Sequence, residues 1–562
     1  MSPSNANIAR HLALMAAAAP DHAALKIPRG RTASGEINYL VLNFAELDRE
    51  VAAWHARLAT AGVRRGDRTL VMVRQGLPLI ASVFALFRLG AVPVVIDPGM
   101  GLKTFLACVA HSRPRALVGI PLARLLSRVC WKQFSTVEVR VAASGSLTAR
   151  LTTAALPTQI PNFETAVCAG NELAAILFTS GSTGAPKGVC YEHGMFDAQV
   201  RLIRETYAIE PGEVDLPLLP IFALFNPALG LTTIVPELDP RRPAEVDPAK
   251  IVQAIRQEGV TNSFGSPTLW KKICDHCRRE NIQLPTLRRV LCAGAPVPAA
   301  LWQASRTVLP NGKLHSPYGA TEALPVATVS SDEIDVASVR GACVGRPLAA
   351  NEVKIIAITD SPITTFAAAH ELPRGETGEI IVRGPSVTPF YDALPNATAA
   401  AKIPESPVAQ LSTLSPQPGS SAALWHRMGD CGYLAADGRL WFCGRKAERV
   451  ETASATLYTE PCEQVFRAHP RVTRCALIGL GERGNQRPAI IVEAKPKNSS
   501  ESRAFARELR ALALAHEHTA GIKLFYFHPK FPVDVRHNAK IHRLKLAQWA
   551  ATAKGFESDP KR

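Results

Sequence analysis

The segment Thr179-Ser180-Gly181-Ser182-Thr183-Gly184-Ala185-Pro186-Lys187-Gly188 directly follows the apolar run Ala174–Phe178. Glycines allow a backbone to approach an anion closely, and hydroxyls, backbone amides and Lys187 provide donors for phosphate oxygens. The segment is not a G-x-x-x-x-G-K-[ST] P-loop, because Pro186 precedes the lysine. It predicts a phosphate-binding loop after a strand. Taken alone, it leaves a Gly/Ser-rich linker open as the alternative.

Short apolar, β-branched runs alternate with helical stretches through the first three quarters of the chain, and this alternation predicts parallel α/β layers. The helical stretch Leu77–Leu89 links the first two runs. Two later runs without helices between them, Val353–Ile358 and Glu379–Val382, predict a smaller β-rich subdomain. The earlier predicted strands are Thr69–Val73, Val92–Ile96, Ala116–Ile120, Ala174–Thr179, Thr232–Val235 and Val290–Ala293.

Two breaks interrupt this rhythm. Residues 398–423 are rich in Ala, Ser, Pro and Gln and predict a mobile surface insertion. The second break is at Gly444-Arg445-Lys446, after which residues 446–562 carry a net charge of +9, against +7 for the first 445 residues. A small basic α+β domain after a nearly balanced one predicts a lid that closes over negative charge, and a solubilising surface is the alternative.

Composition narrows the class of protein. The 562 residues are 47% hydrophobic and 20% charged, which excludes a wholly disordered chain. The net charge of +16 favours anionic partners such as nucleotides, phospholipid surfaces or nucleic acid, but the basic tail lacks interleaved aromatic residues, which disfavours nucleic acid. Twelve scattered cysteines indicate a reduced, cytoplasmic protein. The pair Cys274 and Cys277 lies in an amphipathic stretch, so packing is preferred over a metal or redox role.

Further short motifs follow the loop in a fixed order up to residue 541. Together with Thr179–Gly188 they resemble the motifs of the adenylate-forming (acyl-CoA synthetase-like) superfamily. In chain order, those motifs are the phosphate loop, the adenine-side loop, Y-G-x-T-E, T-G-D, the hinge G-R and the G-K-I-x-R loop. The resemblance implies an adenylation domain over residues 1–445 and a C-terminal lid over residues 446–562. The motifs are Ala293-Gly294-Ala295-Pro296, Tyr318-Gly319-Ala320-Thr321-Glu322, Met428-Gly429-Asp430, Gly444-Arg445 and Asn538-Ala539-Lys540-Ile541.

The resemblance implies a reaction in which a carboxylate attacks the α-phosphate of ATP and pyrophosphate leaves. Because two anions must meet, the site needs positive charge and preorganised donors. As the implied catalytic residues, Lys540 bridges the carboxylate and the α-phosphate, Thr321 donates to the α-phosphate, and Glu322 holds Mg²⁺. The implied nucleotide-binding residues begin with Thr179, Ser180, Gly181, Ser182, Thr183 and Gly184, which hold the β- and γ-phosphates, and Lys187, which adds charge. On the adenine side they are Gly294, Ala295, Pro296 and Tyr318, which stacks on adenine, with Gly319 beside it in the same motif. Asp430 and Arg445 contact the ribose.

Two departures from the superfamily pattern disfavour transfer of the acyl group to coenzyme A. Many members read P-x-F-H where this chain has Pro220-Ile221-Phe222-Ala223. Many coenzyme A ligases also carry a basic K-x-K-G loop past the hinge, where this chain has Thr452-Ala453-Ser454-Ala455.

The segments Val189–Phe196, Pro220–Pro227 and Pro532–Lys540 resemble the olefin β-lactone synthetases of bacterial long-chain olefin biosynthesis. That resemblance implies adenylation of a 2-alkyl-3-hydroxy fatty acid, whose own 3-hydroxyl then displaces AMP and closes a β-lactone. Because the nucleophile belongs to the substrate, no tunnel for a second substrate is needed. Phe222, Leu224, Phe225 and the Phe264–Pro267 turn are candidate pocket walls or ordinary core. His193 is a candidate base, although a structural role is preferred for it.

Other functions stay open at this level. The rival enzymes are a long-chain fatty acyl-CoA ligase and an acyl-AMP ligase that loads a carrier protein. A pseudoenzyme scaffold is disfavoured, because Glu322, Asp430 and Lys540 occur together. The expected partners are a long-chain β-hydroxy acid and other enzymes of the olefin pathway, with no nucleic acid. Peripheral membrane contact of a cytoplasmic protein is a further expectation, since long-chain substrates dissolve poorly and the chain is basic.

Overall fold

The computed structural model describes residues 5–143, 164–179, 186–239, 242, 245–335, 338–406, 424–533 and 541–558. In chain order its helices are α1 (Arg10–Ala18), α2 (Phe44–Thr60), α3 (Leu77–Leu89), α4 (Leu102–Ser112), α5 (Pro121–Val129), α6 (His193–Tyr207), α7 (Asn226–Leu229), α8 (Pro248–Gln257), α9 (Pro267–Arg279), α10 (Ala299–Val308), α11 (Pro395–Ala401), α12 (Thr459–Arg467), α13 (Ser499–Leu514) and α14 (Arg543–Ala550). Its strands are β1 (Ala23–Arg31), β2 (Ile37–Asn43), β3 (Arg68–Met72), β4 (Val92–Ile96), β5 (Ala116–Gly119), β6 (Val139–Ala142), β7 (Leu173–Thr179), β8 (Lys187–Glu192), β9 (Val214–Pro217), β10 (Thr232–Ile234), β11 (Asn262–Gly265), β12 (Arg289–Cys292), β13 (Lys313–Ala320), β14 (Ala323–Ser330), β15 (Ala342–Pro347), β16 (Glu352–Ile356), β17 (Gly378–Arg383), β18 (Lys402–Pro404), β19 (Leu424–Leu434), β20 (Leu440–Arg445), β21 (Val450–Glu451), β22 (Thr456–Leu457), β23 (Cys475–Leu480), β24 (Arg487–Glu493), β25 (Leu524–His528) and β26 (Phe556–Glu557).

A six-stranded sheet carries the first predicted strands, in the order β6-β5-β3-β4-β7-β8. Its first five strands run parallel, and β8 pairs antiparallel with β7. The helix α3 spans the predicted residues Leu77–Leu89, is buried along most of its length, and ends where Gly90 adopts the left-handed conformation. The helix α2 packs on α3 and starts with a capping box, in which Asn43 and Glu46 satisfy each other's backbone amides. The parallel α/β layers predicted from the sequence are therefore confirmed.

A fourteen-stranded sheet contains the remaining strands up to β20. Strands β10, β9, β11, β12 and β13 are parallel neighbours, so their carboxyl ends share one edge. From β13 onward the pairing is antiparallel through β14, β15, β20, β19, β17 and β16. The predicted β-rich subdomain is this antiparallel part, and it continues the large sheet through the pairing of β14 with β15.

The C-terminal residues form a smaller α+β unit. The sheet β23-β24-β25-β26 packs against α12 and α13 on one side and α14 on the other. The predicted boundary between residues 445 and 446 falls where β20 ends and a short 3₁₀ turn, Lys446–Glu448, begins.

The first part of the expected insertion over residues 398–423 is regular structure, contrary to the expectation for that part. Residues 395–401 form α11, and Lys402–Pro404 form β18, which pairs antiparallel with β19. The pairing is stabilised because Ile403, opposite Trp425, is fully buried with it in one apolar cluster. Residues 407–423 lie outside the described part of the chain.

The cysteine pair packs as expected. Cys274 and Cys277 are both buried on α9, where burial raises the pKa of each thiol. Within the described ranges, no group of three or more His, Cys, Asp and Glu residues is arranged to hold a metal ion. None of the helices in those ranges combines the length and apolar character needed to cross a bilayer.

Candidate active site

The predicted phosphate loop connects β7 to β8. Thr179 ends β7 and is paired with Lys187, the first residue of β8. Ser180, Gly181, Ser182, Thr183 and Gly184 lie outside the described residues. The Lys187 ammonium lies over the ring of Tyr391, 4.7 Å from its centroid. The loop therefore starts and ends at one point of the sheet, with a cation at its exit.

Hydrogen bonds from two other segments hold the backbone of Thr321 and Glu322, which joins β13 to β14. The hydroxyl of Tyr191 on β8 donates to the carbonyl oxygen of Thr321 at 2.5 Å. The backbone N–H of Thr388 donates to the carbonyl oxygen of Glu322 at 2.8 Å. A third bond fixes the side chain, because the Tyr391 hydroxyl donates to Oε1 of Glu322 at 2.8 Å. The carboxylate of Glu322 is thus oriented through Oε1.

Lys402 is a site residue that the sequence analysis missed. It begins β18, is 2% exposed, and donates from Nζ to Oγ1 of Thr388 at 3.1 Å. Burial lowers the pKa of this ammonium to about 7, and the negative charge of Glu322 opposes the shift. Thr388 therefore links Lys402 to Glu322 through its side chain and its backbone. In the sequence, Lys402 is a lysine in an Ala-rich stretch without helix or strand periodicity, so no local pattern indicated its role.

Tyr318, Asp430 and Arg445 form one network although they come from distant parts of the chain. The Tyr318 hydroxyl donates to Oδ2 of Asp430 at 2.7 Å, and Nη1 of Arg445 lies 2.8 Å from Oδ1 of Asp430. Asp430 and Arg445 are cross-strand partners on β19 and β20. Burial, and then the charge of Asp430, raise the pKa of Tyr318, and the same charge raises the pKa of Arg445. The sequence-predicted ribose and adenine residues therefore meet directly.

The predicted adenine-side residues lie at the carboxyl edge of the large sheet. Gly294, Ala295 and Pro296 follow β12, and the backbone of Gly294 has a φ of +99°, which favours glycine. Position 319 requires glycine because the backbone of Ala323 approaches it closely: a Cβ at Gly319 would lie 2.6 Å from the carbonyl oxygen of Ala323. Because β12 and β13 are parallel neighbours, this loop and Tyr318 share one edge.

Two of the candidate pocket walls meet face to face. The rings of Phe222 and Phe264 are stacked, with centroids 3.5 Å apart and planes 20° apart. Leu224 and Phe225 are partly buried against the core around α3. Ser266 instead caps α9, accepting from the backbone N–H of Leu269. An apolar surface formed by Phe222 and Phe264 therefore lies at the carboxyl end of β11, beside the adenine-side loop.

The geometry around His193 favours a structural role. Its ring is buried and packs edge-on against Phe87, with centroids 6.2 Å apart, and its backbone N–H donates to the carbonyl oxygen of Glu172. Burial lowers the pKa of its imidazole to about 4. Phe87 belongs to α3, so His193 is part of the packing beneath the six-stranded sheet.

The C-terminal candidate, Lys540, lies outside the described residues, as do residues 534–539. The residues that flank this segment, Val533 and Ile541, form an antiparallel bridge. Arg543 follows and forms ion pairs with both carboxylate oxygens of Glu463, at 2.7 and 2.8 Å, and with Glu448 at 3.0 Å. The base of the predicted lysine loop is therefore attached to the turn that follows the hinge.

The charges suit an anionic nucleotide. Lys187, Lys402 and Arg445 all act on the pKa of the buried His426, which is held well below its usual range first by burial and then by these cations. Three basic side chains, of which Lys402 has a lowered pKa, therefore act on His426 of β19, the strand that also carries Asp430. Mg²⁺ bound with a nucleotide takes one or two protein carboxylates and completes its shell with phosphate oxygens and water. The half-buried Glu322, with one oxygen fixed by Tyr391, fits that requirement.

Comparison with known proteins gives one family. The family model described as AMP-binding enzyme matches residues 15–392. The chain is 45% identical to an olefin beta-lactone synthetase of Xanthomonas campestris pv. campestris, over 97% of each chain. It is also 45% identical to an olefin beta-lactone synthetase of Stenotrophomonas maltophilia, over 97% of this chain and 98% of that one.

A solved structure shows the same fold at low identity. The amide bond synthetase McbA from Marinactinospora thermotolerans superposes with a TM-score of 0.75 and 24% identity, covering 97% of this chain and 99% of that one. The similarity therefore extends over both the large N-terminal part and the smaller C-terminal unit.

Proposed function

The chain belongs to the AMP-binding enzyme family, whose members are adenylate-forming enzymes that use ATP, and from this we propose a specific reaction. The chain activates a long-chain 2-alkyl-3-hydroxy fatty acid as its acyl adenylate and converts that adenylate to a β-lactone. The observation that carries the proposal is the 45% identity, over nearly the full length, to two olefin beta-lactone synthetases.

In the first step, a carboxylate oxygen of the acid attacks the α-phosphorus of ATP. The bond from that phosphorus to the bridging oxygen breaks, and pyrophosphate leaves. The residues around the site supply positive charge, with Lys187 at the exit of the phosphate loop and Lys402 behind Glu322. Tyr318 packs against adenine, Asp430 accepts from the ribose hydroxyls, and Lys540 contacts both reacting anions.

Glu322 is the residue that would hold Mg²⁺, which when bound neutralises charge on the phosphates. The contribution of the chain is the orientation of this carboxylate. Tyr391 fixes one oxygen, and the carbonyls of Thr321 and Glu322 are held by Tyr191 and Thr388. Thr321, whose carbonyl oxygen accepts from Tyr191, would donate to the α-phosphate.

In the second step, the 3-hydroxyl oxygen attacks the acyl carbon, the bond from that carbon to AMP breaks, and the hydroxyl proton is released. A nucleophile held within its own substrate gains the advantage of an intramolecular reaction, of about 7–11 kcal/mol for well-oriented groups. The apolar surface of Phe222 and Phe264 is suited to an alkyl chain and excludes water from the adenylate.

The turn after β21 supports a reaction without coenzyme A. Residues 452–455 close tightly, with the N–H of Thr452 donating to the carbonyl oxygen of Ala455 at 2.9 Å and the Thr452 hydroxyl donating to the same oxygen at 2.8 Å. The turn contains no basic residue to attract the phosphates of coenzyme A.

The test is an incubation of the full chain with ATP, Mg²⁺ and a 2-alkyl-3-hydroxy fatty acid, without coenzyme A. We expect the β-lactone and AMP in equal amounts, measured by mass spectrometry. The matched control is the same acid without its 3-hydroxyl group, which is expected to release pyrophosphate once and to form no lactone. If product forms only after coenzyme A or a carrier protein is added, the chain is instead an acyl-CoA ligase or an acyl-AMP ligase.

A further inference from the structure

The helix α5 packs with its small residues and Leu126 inward and three of its large apolar residues outward. Ala123 and Ser127 are its buried residues. Leu122, Leu125 and Val129 occupy one face and are 69%, 57% and 70% exposed. Trp131, just beyond the helix, is 64% exposed. Large side chains of this kind normally turn toward the core of a protein, so a cluster of four in solvent marks an interaction surface.

The stretch of sequence around this helix is basic, although one of its cations, Arg115, is paired with Asp67 and Glu138. Residues 98–137 contain six Lys and Arg residues and no Asp or Glu. Arg128 and Lys132 are exposed next to the apolar residues. The Lys132 ammonium lies 5.8 Å from the centroid of the Trp131 ring. An exposed apolar face that carries tryptophan and is bordered by cations is the pattern of a helix that lies in the headgroup region of an anionic bilayer.

We propose that α5 and Trp131 dock the protein onto an anionic lipid bilayer. The charge argues against a second copy as the occupant, because a symmetric contact would bring the same cations together. The side chains of Leu122, Leu125 and Val129 enter the acyl boundary, and Arg128 and Lys132 contact lipid phosphates. We call Leu122, Leu125, Val129 and Trp131 the apolar face of α5.

The position of this face in the fold is consistent with access to lipids. The helix α5 begins at the carboxyl end of β5, which runs parallel to β3, β4 and β7. The carboxyl ends of these strands share one edge of the six-stranded sheet, so α5 starts at the same edge at which Thr179 leads into the phosphate loop. The first turn of α5, with Leu122, is therefore at the same edge of the sheet as the start of the phosphate loop.

The test is co-sedimentation of the full chain with lipid vesicles, in the absence of ATP and acid. We expect salt-sensitive binding to vesicles of phosphatidylcholine with phosphatidylglycerol, and little binding to phosphatidylcholine alone. Leu125→Glu is expected to weaken binding by about tenfold or more, and Arg128→Gln by about fivefold. Because both side chains are exposed, neither substitution is expected to disturb folding.

The matched control is Leu514→Glu, which places the same charge on an exposed leucine of α13, 47% exposed and distant in the sequence. This variant is expected to bind vesicles as the unmodified chain does. Absence of vesicle binding overturns the proposal, as does equal loss of binding in Leu514→Glu and Leu125→Glu. If the protein does not bind vesicles but self-associates, and Leu125→Glu abolishes that self-association, then the apolar face of α5 binds a second copy of the chain. That outcome also overturns the proposal of lipid binding. The measurement needs no turnover, so its result is independent of the proposed reaction.

Discussion

Substitution of Lys402 by methionine is expected to stabilise the protein at neutral and acidic pH. The pKa of this ammonium falls from 10.5 to about 7 on folding, which corresponds to about 5 kcal/mol of free energy disfavouring the charged form. Methionine has a similar length and no charge to desolvate. Its drawback is the lost bond to Thr388, which contributes about 1 kcal/mol. The net expectation is a gain of about 2–4 kcal/mol in the free energy of unfolding, in line with other buried charges.

The pH dependence gives a second readout. Between about pH 7 and 10.5 the unfolded chain binds more protons at this position than the folded chain does, so the stability of the natural protein rises with pH in that window. Below about pH 7 the Lys402 side chain is protonated in both the folded and the unfolded state. The folded state then carries the whole free-energy cost of the buried charge. Lys402→Met removes this dependence, so the gain in stability is largest at acidic pH and vanishes at alkaline pH.

Urea unfolding followed by circular dichroism, repeated across this pH range, measures both effects. The matched control is Lys354→Met on β16, whose ammonium is partly exposed, pairs with Glu371 at 2.9 Å, and is expected to change stability by less than about 1 kcal/mol. If Lys402→Met unfolds at the same urea concentration as the natural protein, or keeps its pH dependence, then Lys402 is not a desolvated charge and this account of the site is wrong.

Three further substitutions test the site. Tyr318→Phe removes the donor to Asp430 and is expected to lower the free energy of unfolding by about 2 kcal/mol, measured in urea; an unchanged midpoint would contradict the 2.7 Å bond. Glu322→Gln keeps an acceptor for Tyr391 but removes the charge, so the Mg²⁺ concentration for half-maximal pyrophosphate exchange is expected to rise by about tenfold, while adenosine binding is unchanged. Lys540→Ala is expected to abolish adenylate formation while calorimetry still detects ATP binding; a rate within about tenfold of the natural one counts against the assigned role.

The sequence was sufficient for the α/β layers, and the motif resemblance named several candidate site residues that the structure brings into contact. The run Leu77–Leu89 matches α3 residue for residue, because its continuous apolar character and the following Gly90 mark both its burial and its end. Tyr318, Asp430 and Arg445 could be placed together only through the motif resemblance, since nothing in their local sequence indicates a contact across 112 residues.

Other features depend on tertiary contacts that no local pattern encodes. Lys402 and Thr388 are joined only because β18 pairs with β19, and the Ala-rich context of Lys402 favoured an irregular segment. The helix α5 has a clear apolar face, yet periodicity alone predicts that this face is buried, whereas the small residues Ala123 and Ser127 are inside. The direction in which a helix turns its apolar face is set by the space available beneath it.

The network of Tyr318, Asp430 and Arg445 has a consequence for the free energy of the proposed nucleotide binding. Each oxygen of Asp430 already has a protein partner, so the rotamers of all three side chains are selected during folding. Immobilising a flexible side chain at the moment of association costs about 0.5–1.5 kcal/mol, and none of the three incurs that loss when a ribose arrives. If the proposed role of this network is correct, the part of the site that binds the nucleoside is already in its binding conformation before the nucleotide arrives.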